Sequence, residues 1–314
     1  MNRIVPAAGR YDAVLVIAYG APERAEDVRP YLAGILRGRR VPPARAEAVA
    51  HHYDVFGGRS PLNDLTRRQG AALERILTGR GLPLPVHVGM RNWAPHLHET
   101  IGAMRDVGVR RAVGIVMAPH RSYASWEQYH ENVAEARARV GEGAPEVEYV
   151  GPWHAHTGFI GAQADRVEAA LRAMPDRERE AAALVFTAHS IPAAMGSRSD
   201  YPGQVTASAR LVAARLGRAL WQVAYQSRSG DPREPWLEPD VNDVLRDLAA
   251  RRVPAAVLVP IGFVSDHIEV LYDLDTEARA TAAGLGVAYN RAGTVMDHPA
   301  FIGMLADLVA ARAG

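Results

Sequence analysis

The sequence predicts an α/β protein of two similar lobes, each with a parallel sheet flanked by helices. Short apolar, β-branched runs ending in Gly, Pro or Ser alternate with longer helical stretches, which is the pattern of βα units. Two runs resemble each other: Val14-Leu-Val-Ile-Ala-Tyr-Gly-Ala-Pro22 and Leu184-Val-Phe-Thr-Ala-His-Ser-Ile-Pro192 share strand, Ala, ring, small residue and Pro in order. At 314 residues, 48% hydrophobic and 23% charged, the chain can bury a large core, and its length favours two domains.

In chain order, the expected strands are Ala13–Ala18, Val86–Gly89, Ala112–Met117 and Val147–Val150, then Ala183–Thr187, Trp221–Ala224, Ala255–Pro260 and Gly286–Ala288. Ala- and Arg-rich stretches between them read as helices: Leu62–Leu77, Glu127–Arg139, Gly158–Ala173, Thr206–Leu216 and Val241–Ala250. The run 112–120 resembles 256–264 in pattern and position, so the lobes are expected at 1–155 and 156–314. The first two strands lie almost twice as far apart in the first lobe as in the second. Most of the excess is an insertion, 23–60, at the edge where open α/β sheets bind ligands, and it reads as a lid or pocket wall.

All 36 basic residues are arginines, which excludes lysine Schiff bases and the lysine of a phosphate loop. The chain has no cysteine, so disulfides, thiolate nucleophiles and cysteine-ligated zinc or iron–sulfur clusters are excluded, and any metal must meet nitrogen and oxygen. A net charge of +1 gives no general attraction to nucleic acid, and none is expected as a partner. The first ten residues do not read as a signal peptide, and no run approaches the ~18 apolar residues of a membrane span. The cytoplasm is the expected compartment.

The stretch 260–277 carries the most chemistry. An apolar strand ends at Gly262, and a helix-like segment sets Glu269, Asp273 and Glu277 four residues apart, on one helix face about 6 Å from neighbour to neighbour. Like charges so close repel unless a cation or shared protons offset them, which suggests a path for metal ions or protons. Ser265 or Asp266 is the expected N-cap, with Asp266 and His267 in a capping role, and Asp275 reads as the exposed carboxylate. Tyr19 and His189 stand at equivalent places past the first strand of each lobe. If the fold joins the first and third strands of the second lobe, His189 meets Glu269, a pairing that would orient the ring and supply N/O metal ligands. Arg37, Arg39, Arg40, Arg59 and Arg91 are candidate clamps for ligand carboxylates, with Tyr53, Ser60 and Tyr129 adding hydrogen bonds.

Together these segments resemble the ferrochelatase family: Ala18-Tyr-Gly-Ala-Pro22, Gly57-Gly-Arg-Ser-Pro-Leu62, Ala188-His-Ser-Ile-Pro192, and Gly262-Phe-Val-Ser-Asp-His-Ile-Glu-Val-Leu-Tyr-Asp273. The resemblance implies two Rossmann-like lobes, each with a four-stranded parallel sheet, and a porphyrin cleft between them. It implies insertion of Fe(2+) into a porphyrin, with His189 and Glu269 as the catalytic and metal-site pair and Asp273 and Glu277 as further metal or relay positions. Tyr19 matches an axial tyrosine on the opposite face of the macrocycle, and its Ala-Tyr-Gly setting resembles the branch that uses coproporphyrin III. Tyr53, Ser60 and Tyr129 match porphyrin-contacting positions. His52 joins that set but, like Leu36, stands where the family pattern has arginine, leaving Arg37 or Arg91 to hold propionates. Many relatives bind a [2Fe–2S] cluster through cysteines, which this chain cannot do. A monomer with no tightly bound cofactor is expected. A chelatase for another metal and tetrapyrrole, or a non-catalytic haem-binding protein, are the alternatives.

Overall fold

The computed structural model describes residues 10–37, 43–229 and 233–313. Two four-stranded parallel sheets form it, with strand orders β2-β1-β3-β4 and β6-β5-β7-β8. The first contains β1 (Ala13–Ala18), β2 (Val86–Met90), β3 (Arg111–Val116) and β4 (Glu146–Tyr149); the second contains β5 (Ala183–His189), β6 (Trp221–Gln226), β7 (Ala255–Val259) and β8 (Ala288–Arg291). The orders are identical once the first four strands are matched to the last four, which is the repeat expected from 14–22 and 184–192. In register, Val14 pairs with Val86 and Val113, and Leu184 with Trp221 and Val257. Every residue of β1 and β7 is buried, as strands covered by helices on both faces require.

The helices are α1 (Val28–Ile35), α2 (Pro43–Val55), α3 (Leu62–Gly79), α4 (Leu97–Asp106), α5 (Glu127–Val140), α6 (Thr157–Arg172), α7 (Asp176–Ala181), α8 (Ala193–Gly196), α9 (Tyr201–Arg215), α10 (Val241–Ala250), α11 (Ile268–Tyr272), α12 (Arg279–Leu285) and α13 (Pro299–Ala313). Helix α9 starts five residues before the expected Thr206. Pro202 is tolerated because it falls in the first turn, where its missing N–H has no intrahelical partner. The last strand is Ala288–Arg291, where Gly286–Ala288 was expected. Gly286 has φ +69 and ends α12 as a left-handed cap, which delays the strand.

The largest departure lies between α11 and α12, where Asp273–Ala278 forms a π turn. Glu269 and Asp273 keep the α-helical step, the Asp273 N–H donating to the Glu269 carbonyl, but the step from Asp273 to Glu277 falls within the π turn. A π turn holds more residues per turn, so a four-residue step falls short of a full turn where an α-helix overshoots it.

One apolar core runs through both sheets and includes Val14, Val113, Leu184 and Val257. Its centre is aromatic: Trp153 meets Phe159 at 5.3 Å, edge to face, and Phe301 at 5.8 Å. The C-terminal helix α13 lies against both α6 and α3. Buried Gln69 of α3 adds a polar tie, donating to the carbonyls of Val264 (3.2 Å) and Met296 (2.9 Å) and accepting from Ser265 Oγ (3.2 Å).

Candidate functional site

His189 is the last residue of β5, and Glu269 lies in the first turn of α11, a short loop after β7. Because β5 pairs with β7, the two arrive at the same sheet edge. Gly262 makes the approach possible: a Cβ there would sit 2.7 Å from Ala188 Cα, and its N–H donates to the Thr187 carbonyl at 3.0 Å. His189 Nε2 is then 3.8 Å from Glu269 Oε2, and His267 Nδ1 reaches the same oxygen at 3.9 Å. Both separations exceed a hydrogen bond.

His189 Nδ1 contacts the carbonyl of Ser190. A carbonyl only accepts, so Nδ1 carries a proton, and Nε2 is the ring nitrogen that faces Glu269. The backbone beneath is fixed by the Tyr201 hydroxyl, which donates to the His189 carbonyl at 2.9 Å. Burial depresses the His267 pKa, while Glu269 and Asp266 pull it upward. His267 occupies the N-cap position of α11 but makes no side-chain cap. The expected capping is absent for a clear reason: Ser265 is spent on Gln69, and Asp266 accepts from Arg291 (3.2 Å) and Thr294 (3.1 Å).

The three expected ladder carboxylates separate in environment. Asp273 is buried, while Glu269 and Glu277 are exposed. Burial pushes the Asp273 carboxyl up to about 7, against the pull of Ser227 and Gln226 hydrogen bonds and with the help of the Glu269 and Glu277 charges. The Ser227 hydroxyl and the Gln226 amide both donate to Asp273 Oδ2, and the same amide donates to the Glu269 carbonyl at 3.2 Å. Ser227 adopts φ 62, a left-handed conformation uncommon outside glycine. Asp275, expected to be the exposed member, is half-buried and takes a two-pronged contact from Arg291, with Nε and Nη2 each at 2.8 Å.

At the opposite sheet edge Tyr19 follows β1 and is 39% exposed, the ring projecting from a backbone held by Asn92, whose N–H donates to the Tyr19 carbonyl at 2.8 Å. Gly20 has φ +81, and a Cβ there would strike Met90 Cβ at 2.8 Å and Trp93 N at 2.9 Å. Only glycine lets the chain turn so tightly there. The Arg91 guanidinium lies 5.8 Å from the Tyr19 ring centre and 5.2 Å from that of buried Tyr129. Of the other candidate clamps, Arg59 pairs with Asp64 at the surface, Arg37 is exposed, and Arg39 and Arg40 lie outside the described residues.

Tyr53 and Ser60 are buried, the Ser60 Oγ accepting from the Leu62 N–H at 3.3 Å. Tyr53 of α2 forms a small core with Tyr31 and Leu32 of α1 and with Ile268, the residue before Glu269. Burial raises the phenols of Tyr31 and Tyr53, and the charge of Glu269 raises them further. His52 stacks face to face on Tyr272 of α11, with ring centres 3.6 Å apart and planes within 11°. A cleft of about 800 Å³ lies between Arg121, Ser122 and Tyr123 on one side and Pro192, Met195 and Arg198 on the other, and none of the expected site residues lines it. It begins three residues past His189 and has the size of a small-molecule site.

Tyr31, Gln226, Ser227 and Tyr201 were not expected from the sequence. The one available signal was position: Gln226 and Ser227 end the strand beside β5, where ligand-facing residues gather in such sheets. Among the described residues no three His, Asp or Glu side chains converge as a ready metal cage.

Compared with known proteins, the chain matches the ferrochelatase family model over residues 11–313. It is 46% identical over 306 residues to the coproporphyrin III ferrochelatase of Nocardia farcinica, covering 95% of this chain and 87% of that one. It is 43% identical over 308 residues to a ferrochelatase of Rhodopirellula baltica, covering 97% of this chain and 87% of the relative. Among solved structures, SirB from Bacillus subtilis with Fe3+ superposes with a TM-score of 0.60 at 14% identity, covering 96% of this chain and 95% of that one. At that identity the likeness concerns the fold.

Proposed function

The chain belongs to the ferrochelatase family, and on that premise we propose that it inserts ferrous iron into coproporphyrin III through His189 and Glu269. The observation that carries this reading is the 3.8 Å approach of His189 Nε2 to Glu269 Oε2 at the edge of the second sheet. Relatives named coproporphyrin III ferrochelatase, at 43–46% identity over 95–96% of the chain, support the choice of porphyrin.

Insertion requires two pyrrole N–H protons to leave as the iron sheds its water. The His189 Nε2 lone pair accepts a proton, and the Glu269 carboxylate beside it stabilises the imidazolium so formed. Asp273, held near neutrality, can take up and release protons at working pH, and exposed Glu277 completes the route to solvent. Glu269, Asp273 and Glu277 also offer oxygen to the incoming cation, with His189 supplying nitrogen. Tyr19 holds the far face of the macrocycle. Tyr53, Ser60 and Tyr129 line its edge, and Arg91 is the guanidinium best placed to meet a propionate. Binding energy collected at that edge is available to bend the ring and expose its nitrogens.

Residues 1–155 and 156–314 act in this reading as the two jaws, with 23–60 as the lid. His52, expected to touch porphyrin, also stacks on Tyr272 of α11. Iron and porphyrin are the substrates of a cytoplasmic monomer with no resident cofactor. The test is anaerobic incubation with ferrous iron and coproporphyrin III, with protoporphyrin IX as comparison, followed by absorbance of the metallated product. His189→Ala is expected to abolish insertion while porphyrin binding, read by fluorescence quenching, stays within about threefold. Normal turnover in that variant removes His189 from the mechanism.

A further inference from the structure

The π turn at Asp273–Ala278 is held from outside by one strand. Tyr289 and Arg291 are two residues apart on β8 and so project from the same face. The Tyr289 hydroxyl donates to the Leu274 carbonyl at 2.6 Å, and the Arg291 guanidinium donates twice to the Asp275 carboxylate, the next residue. The same guanidinium reaches back to Asp266, ahead of α11, at 3.2 and 3.4 Å, and Thr294 Oγ1 donates to that carboxylate at 3.1 Å. Arg291 thus ties together two carboxylates that flank Glu269 and Asp273 in sequence, and its side chain is only 12% exposed. Arg279 adds to the set, its Nε donating to the Asp275 carbonyl at 3.2 Å and its guanidinium lying over the Tyr289 ring at 4.9 Å.

A π turn is uncommon and is found mostly where function demands it. Here the turn begins at Asp273, the carboxyl that meets Ser227 and Gln226. Without the outside holds, the segment would gain by relaxing to α geometry, which would turn Glu277 and the carbonyl of Leu274 to new directions. We infer that Arg291, with Tyr289, is the positioning pair that keeps this segment in the register presenting Asp273 and Glu277 together. Arg291 touches neither iron nor porphyrin. The inference rests on the chelatase reading of the site and extends it to a strand that carries none of the proposed site residues.

The experiment is a double-mutant cycle between Arg291→Met and Asp273→Asn, with Tyr289→Phe as a milder probe, reading kcat, the KM for ferrous iron and the KM for coproporphyrin separately. Arg291→Met is expected to lower kcat at least about tenfold and raise the KM for iron, with the porphyrin KM within about twofold; Tyr289→Phe should show the same split at about threefold. Asp273→Asn should then cost much less in the Arg291→Met background than alone, because its register with Glu277 is already lost; general loosening would give independent, additive losses. Should Arg291→Met fail to fold, the charge-neutral Asp266→Asn/Asp275→Asn/Arg291→Met variant and Tyr289→Phe carry the same split. Additive losses, or wild-type constants in folded variants, overturn the inference. If His189→Ala also turns over normally, the site reading has failed instead, and the two failures are told apart.

Discussion

Asp273 shows how a single residue trades stability for chemistry. Its carboxyl rises from 3.8 to about 7 because burial disfavours the charge, so the folded state holds this proton more tightly than the unfolded chain does. The group's contribution is therefore fullest below its unfolded value and is lost as pH climbs through 7. At about 1.4 kcal/mol per pKa unit, the ionised form costs on the order of 4 kcal/mol. Asp273→Asn keeps the shape and removes the charge, so chemical denaturation at pH 8 should find the variant more stable by a few kcal/mol, and at pH 4 the two proteins should match. Iron insertion should fall in the same variant. An equal difference at both pH values would show that burial of the charge is not what sets this cost. Glu269 and His189 are legible in the sequence because each follows a strand in a run with few other meanings. The burial of Asp273 is not, because the partners that define it, Gln226 and Ser227, carry no motif and join the site only when β6 pairs beside β5.

At the scale of elements, the strands are legible because buried parallel strands are continuous apolar runs, and β1 matches its expected bounds to the residue. The π turn is not legible, since the same residues at the same spacing suit an α-helix and the difference lies in Tyr289 and Arg291, donors from a strand more than ten residues away. The packing of the insertion after β1 is only partly legible. Its position in the chain points to the ligand edge, but its docking on α11 through Ile268, and through the His52–Tyr272 stack, depends on tertiary packing. If His52 works by stacking, the ring matters more than its nitrogens. His52→Phe should keep the porphyrin KM within about twofold of wild type, whereas His52→Ala should raise it about tenfold, measured by steady-state insertion kinetics. Loss in both variants would return His52 to direct contact with a substrate carboxylate.

The whole molecule is two copies of one βαβ plan, yet its energetics are those of a single body. The core passes from Val14 and Val113 through Trp153, Phe159 and Phe301 to Leu184 and Val257, and α13 closes it by lying on α3 and α6 together. Surface ties follow the same line, with Arg80 to Asp307 and Arg68 to Asp297 both at 2.7 Å. Such exposed pairs add at most about 1 kcal/mol each, so the aromatic centre must dominate. Phe301 is fully buried and sits where the halves join. Phe301→Ala should therefore cost about 3–5 kcal/mol and should lower one cooperative transition, not detach the C-terminal half. Hydrogen exchange read separately on β1 and β5 during denaturation tests this: coincident loss of protection in both strands is the expected result, and a variant in which β5 opens first would mean the sheets are stable independently. Below its lowered melting temperature the variant should still insert iron at near wild-type kcat, because Phe301 packs in the core on Trp153 and Phe159.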